Sequence, residues 1–166
     1  MTRTVDDLHP VLLDQTIRGS LVVYEVKPRP DGQIGDLTIL HPTMLGIEYP
    51  KTFGHYHVPP HSETYEIQEG QGVVLVQKVD TMGKLIDFKS YPVAKGDAVT
   101  VPEGYGHVLV NTGLVDLVTL DNWDPAWAKH DYQSIIDKQG FAYYLVRGAT
   151  EPELIPNPKY SISVRP

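Results

Sequence analysis

Apolar and polar residues alternate along this chain in short runs whose period is two. In Glu63-Thr64-Tyr65-Glu66-Ile67-Gln68, residues Glu63, Tyr65 and Ile67 fall on one face and Thr64, Glu66 and Gln68 on the other. Runs rich in Val, Leu, Ile, Thr and Tyr predict strands at Leu21–Lys27, Leu37–His41, Thr52–His57, Glu63–Gln68, Gly72–Lys78, Ile86–Pro92, Ala98–Val101, His107–Asn111, Val115–Asn122 and Phe141–Val146. Turn signals separate them at Pro30-Asp31-Gly32, Glu69-Gly70-Gln71-Gly72, Lys95-Gly96-Asp97 and Asn111-Thr112-Gly113. Strands at this spacing predict an all-β sandwich or barrel of the jelly-roll kind. A single short C-terminal helix is expected near 125–138, with Asp124 as N-cap, Pro125 in the first position and Gly140 as its stop.

The 166 residues fit one domain spanning 1–166. Residues 1–19 read as a covering arm with a helical turn at Val11–Leu13, 20–148 as the barrel core, and 149–166 as a proline-bearing tail over the surface. The absence of cysteine excludes disulfides, thiolate metal sites and thiol nucleophiles. A net charge of -7, spread along the chain, argues against nucleic acid and anionic membranes as partners. No run approaches the roughly 18 apolar residues of a membrane span. Asp6 and Asp7 stand where a signal peptide would be basic and then apolar, so a cytoplasmic location is expected.

Two segments concentrate the chemistry. The first reads His55-x-His57-x5-Glu63-x6-Gly70, the second Gly96-x5-Pro102-x-Gly104-x2-His107-x3-Asn111. On a strand, His55 and His57 aim together while Tyr56 points away. A short loop through Pro59-Pro60 can fold Glu63 back beside them, and a turn at Pro102-Glu103-Gly104 can present His107 to the same interior. Three imidazoles and a carboxylate suit a divalent transition metal such as Fe, Mn, Ni, Zn or Cu, with positions left open for a substrate oxygen. His61, four residues past His57, is the alternative to Glu63 as fourth ligand. His9 and His41 have no partner at ligand spacing, and Glu66 and Glu69 read as a solvated face and a turn.

Both segments resemble the two motifs of the cupin superfamily, the first with a slightly lengthened loop before Glu63. Within it the chain resembles the cupin-type phosphoglucose isomerases known chiefly from archaea. That resemblance runs from about Gly35 to Leu145. It includes Thr38-Ile39-Leu40-His41-Pro42, Thr52-Phe53-Gly54-His55-Tyr56-His57, Glu63-Thr64-Tyr65, His130-Asp131-Tyr132 and Lys138-Gln139-Gly140-Phe141. It implies a single jelly-roll β-barrel and a homodimer. It also implies one divalent metal per subunit, held by His55, His57, Glu63 and His107, and a sugar phosphate as substrate. Phosphate contacts map to Thr38, Thr52 and Gly54, with Tyr132 beside them and His130 as a polar contact near the sugar. The activity implied is metal-dependent interconversion of glucose 6-phosphate and fructose 6-phosphate, as in glycolysis and gluconeogenesis. Glu63 would carry the carbon-bound proton, Tyr65 and His130 assisting, although a carboxylate that also ligates a metal is a weakened base and a hydride shift would avoid that difficulty.

The chain departs from the family at Tyr105, one place closer to His107 than the family's tyrosine, and at Trp123 and Trp127, where a tyrosine is expected. These departures, expected at the sugar end of the pocket, bear on the substrate more than on the metal. Alternatives that share the ligands are another metal-dependent cupin enzyme (a different sugar isomerase, a dioxygenase or a decarboxylase) and a non-catalytic sugar-binding cupin. Lys51 is expected to be an exposed solubility residue, its alternative role being to add charge near the phosphate.

Overall fold

The computed structural model describes residues 1–162. In chain order the elements are β1 (Thr2–Thr4), α1 (Val5–Leu8), β2 (Val22–Pro28), β3 (Asp36–Leu40), β4 (Tyr56–Val58), β5 (Glu63–Glu69), β6 (Gln71–Val79), β7 (Leu85–Ala94), β8 (Ala98–Val101), β9 (Gly106–Asn111), β10 (Leu117–Asp121), β11 (Lys129–Asp131), α2 (Gln133–Asp137), β12 (Tyr143–Arg147) and β13 (Pro152–Pro156). A six-stranded sheet runs β1-β2-β3-β10-β5-β8, and a three-stranded sheet runs β7-β6-β9. Every pairing between these strands is antiparallel. Their ladders do not close into a continuous ring, but their inner faces share one core in which Val23, Leu40, Ile67 and Leu117 join Val74, Val76, Val93 and Leu109. This is the all-β arrangement of antiparallel sheets over one core that the strand spacing predicts, and it fits the jelly-roll barrel that the cupin resemblance implies.

Alternation decides which residues reach that core. In β5, Glu63, Tyr65 and Ile67 are buried, while Thr64, Glu66 and Gln68 face outward as expected. Gly70 turns β5 into β6 at φ +78, and a Cβ there would sit 2.3 Å from the Asp116 carbonyl oxygen. The motif asparagine is structural. Fully buried Asn111 donates to the Leu40 and Val115 carbonyls at 2.8 Å each and accepts from Gly113 N at 2.8 Å, tying the β9–β10 turn to β3.

Five expectations need correction. The extended run expected at Thr52–His57 is a strand only from Tyr56. Gly54, at φ +78, breaks it, leaving isolated bridges at Lys51 and His55. The helix expected over 125–138 is reduced to α2. Asp124 Oδ1 caps only a turn, accepting from Ala126 N at 2.8 Å, and the chain then extends as β11 to pair His130 with His57. Tertiary pairing thus overrides helix propensity, while Gly140 still follows the helix at φ +114. The tail is not merely a surface covering: β13 pairs with β12, and Asn157 and Tyr160 are buried. Residues 163–166 of it lie outside the described residues. In the arm, the helical turn comes earlier than expected, as α1 and a 3-10 turn at His9–Val11.

Lys51 is the fifth correction. It is 7% exposed, donates to the Val11 carbonyl at 2.7 Å and pairs with buried Glu48, whose Oε2 accepts from Leu13 N at 2.9 Å. The pair fastens the arm to the segment before β4, and neither residue shares a cavity with Thr38 or Thr52. No helix among the described residues is long and apolar enough to cross a membrane.

Candidate metal centre and substrate cavity

The four expected ligands come from three stretches of chain. Beyond Gly54, His55 bridges to His107 at the start of β9, and β4 carries His57 on the same face as His55. Tyr56 points the other way, its hydroxyl accepting from Gln77 Nε2 at 2.8 Å. Glu63 opens β5. One ligand atom from each of His55, His57, Glu63 and His107 lies within 4.8 Å of the other three. His57 Nε2 stands 3.1 Å and His107 Nε2 3.2 Å from Glu63 Oε2. Yet Glu63 Oε2 and both ring nitrogens of His107 are buried without hydrogen-bond geometry to any partner. Donor atoms this close, with Glu63 Oε2 and His107 left unsatisfied and His55 Nε2 meeting His57 Nε2 at 3.3 Å, fit a cation among them.

The electrostatics agree. Burial and the neighbouring imidazoles hold His55 well below the usual histidine range, so it is neutral and able to ligate. Burial opposes ionisation of Glu63, but the facing histidines, His107 foremost, hold its carboxyl well below the usual range. His61 is not in the cluster. Its Nδ1 meets the Ser62 carbonyl at 2.7 Å and its ring stacks on Trp127 at 4.6 Å. His9 and His41 sit elsewhere, against the Gln15 carbonyl and Asp116, and Glu66 and Glu69 are exposed.

Beside the cluster opens a cavity of about 360 Å³, within the range of small-molecule sites. Its lining includes Thr38, Thr52, Gly54, His55, Glu63, Tyr65, His130 and Tyr132. Every residue that the resemblance assigns to the phosphate, the sugar or the proton transfer is therefore on one wall or another, and the two ligands absent from the lining are His57 and His107. Gly54 is needed there, because a Cβ on it would approach Phe141 Cε2 to 2.6 Å. Thr52 Oγ1 already accepts from Leu109 N at 3.1 Å. The His130 ring lies 3.8 Å from that of His55, its Nδ1 faces the Tyr132 hydroxyl at 3.1 Å, and burial lowers its pKa to about 4.

The cavity also contains residues that sequence reasoning missed: Tyr24, Asp36 and Asp121 among them. Asp121 was within reach, since strand parity puts it on the same buried face as Leu117 and Thr119. Two of the expected sugar-end departures do not belong there. Tyr105 is bonded to Asp87, and Trp127 is 40% exposed against His61. Trp123 does line the cavity, with its Nε1 buried and unpartnered.

Residues 3–159 match the family model for glucose-6-phosphate isomerase (GPI). The chain belongs to that family. The glucose-6-phosphate isomerase of Thermococcus onnurineus (strain NA1) is 33% identical over 171 residues, covering 96% of this chain and 87% of that protein. That of Thermococcus gammatolerans is 32% identical over 173 residues, covering 98% and 88%. Among solved structures, the oxalate decarboxylase of Lactobacillus farciminis aligns with a TM-score of 0.44 and 17% identity over 59% of this chain and 27% of that one. For this glucose-6-phosphate isomerase family member, the structure adds a His/Glu group able to bind a metal, set at the wall of a cavity.

Proposed function

We propose that this chain is a metal-dependent aldose–ketose isomerase interconverting glucose 6-phosphate and fructose 6-phosphate. The observation that carries this reading is the joint presence, in one cavity, of a metal-ligand cluster and the neutral donors Thr38, Thr52 and Gly54, within a chain matched over 3–159 to that family. His55, His57, Glu63 and His107 would hold one divalent ion, of the Fe, Mn, Ni or Zn class. When bound, it stabilises negative charge developing on sugar oxygens.

The chain's own residues supply the rest. Threonine hydroxyls and the Gly54 amide give an anion neutral donors in a chain of net charge -7, with glycine letting the phosphate approach the backbone. Glu63 carries the carbon-bound proton between C2 and C1. Neutral His130 and the Tyr132 hydroxyl beside it offer polar contacts to the sugar, and Tyr65 packs next to Glu63. The reading includes a cytoplasmic homodimer, in which a partner would cover an unpaired edge such as that of β8.

Purified, metal-replete protein is expected to form glucose 6-phosphate from fructose 6-phosphate in an NADP-linked assay. Metal-loaded protein that turns over no hexose phosphate would contradict the proposal. For the phosphate end, Thr38→Val is a cleaner probe than Thr52→Val, which would also strip Leu109 N of its acceptor. Loss of one hydrogen bond to a charged group is worth about 1.5–3 kcal/mol, so KM is expected to rise roughly 10- to 100-fold with kcat little changed. An unaltered KM in steady-state kinetics would remove Thr38 from the phosphate site.

A further inference from the structure

Asp121 ends β10 on the strand's buried face and is 6% exposed, yet it lines the same cavity as Glu63. Sheet pairing sets it opposite Tyr65, so Glu63, two residues away, is its diagonal neighbour. Such neighbours share a face at about 7–8 Å, close enough for both carboxyls to reach the C1–C2 end of one bound sugar. Its Oδ1 accepts from Asp36 N at 2.9 Å and from Trp123 N at 3.0 Å. Those two amides fix the carboxyl and leave Oδ2 for the cavity. An asparagine would tie the same two amides without placing an ionisable group in a site already holding Glu63 and Asp36. The carboxyl therefore calls for a role beyond the turn.

Aldose–ketose exchange supplies one, and the inference rests on that reading of the site. The reaction moves one proton between carbons and another between oxygens, and Glu63 accounts only for the first. We propose that Asp121 Oδ2 is the second proton carrier, serving O1 and O2 of the sugar while Glu63 serves C1 and C2. In the aldose-to-ketose direction Glu63 takes the C2 proton. The C–H electron pair becomes the C1–C2 double bond, and the displaced C1–O1 π pair takes a proton from the Asp121 carboxylic acid. The enediol then gives its O2 proton back to Asp121. The O–H pair forms the C2–O2 double bond, and the C1–C2 π pair takes the proton held by Glu63 at C1. Both carboxyls end as they began, and no oxidant or reductant is consumed.

The surroundings support a protonated starting form. Burial, the larger cause, pushes the Asp121 carboxyl above the usual carboxylate range, and a cation held by Glu63 would leave that cause in place. The titratable and charged groups around it are Glu63 and Tyr65 on β5, Asp36 on β3, His57 on β4, and Arg29, whose Nη1 donates to the Asp121 carbonyl at 2.9 Å. Tyr65 is the weaker carrier, since burial and Glu63 keep it a phenol well above its usual pKa.

The test is Asp121→Asn, which keeps an acceptor for both amides. With metal content per chain equal to wild type, kcat is expected to fall at least ~100-fold while KM moves less than about threefold. The alkaline limb of the wild-type kcat/KM profile, where the Asp121 acid deprotonates, should be missing in the variant. If the wild-type protein itself fails to interconvert the hexose phosphates, the isomerase reading falls and this inference with it. If wild type is active and the variant keeps kcat within about threefold, or keeps the alkaline limb, only the role of Asp121 is overturned. A loss of activity that merely tracks metal content across Asp121→Asn and Asp121→Ser would overturn it as well.

Discussion

Replacing His107 by alanine should remove bound metal and isomerase activity together, whereas Glu63→Gln should separate the two. His107 is 1% exposed, and its ring nitrogens meet hydrogen-bond geometry with no group although Nε2 stands 3.2 Å from Glu63 Oε2, which suits an imidazole placed to ligate. Without it the remaining three groups form an incomplete site, and the metal is lost on desalting. Glutamine at 63 keeps an oxygen near His57 and His107 but no longer accepts a proton. Some metal should therefore stay while kcat falls by ~10²–10⁴, the usual contribution of a positioned base. Elemental analysis alongside turnover distinguishes these outcomes. Full activity in Glu63→Gln would take proton transfer away from this residue and favour a hydride shift.

The second large effect concerns stability. Glu48 and Lys51 form an ion pair under the N-terminal arm at 1% and 7% exposure, with further bonds to Val11 and Leu13 and the ammonium 5.0 Å from the Tyr144 ring centre. Removing one partner leaves the other charge buried alone, which costs about 3–5 kcal/mol. Glu48→Leu is therefore expected to lower the urea midpoint sharply, and Glu48→Leu with Lys51→Met should recover much of the loss. A single variant within about 1 kcal/mol of wild type would show that water reaches the pair.

These two cases mark what could be read from the chain. His55, His57, Glu63 and His107 were legible because strand parity and two spaced motifs converge on one interior face, and parity put Tyr65 beside Glu63, whereas Thr38, Thr52, Gly54, His130 and Tyr132 were reached only through the family resemblance. Lys51 was not legible, because nothing local says that an arm some forty residues earlier will fold over it. The same limit explains the helix expected near 125–138. Asp124 and Pro125 are sound start signals, but pairing of His130 with His57 across the sheet depends on residues seventy positions away. Tyr105 failed for a related reason: proximity in sequence to His107 does not fix direction, and Asp87 draws its hydroxyl outward. Asp121 was within reach of the alternation rule, but no motif drew attention to it.

The central claim is that one cation, gripped by His55, His57, Glu63 and His107, makes this cavity an isomerase. The direct measurement is to strip the protein with a chelator and return a divalent ion in sub-stoichiometric steps while following fructose 6-phosphate conversion. Activity should vanish on stripping and climb in proportion to metal until about one ion per chain, where it levels off. Undiminished turnover by metal-free protein, or a saturated site with no turnover, would contradict the account.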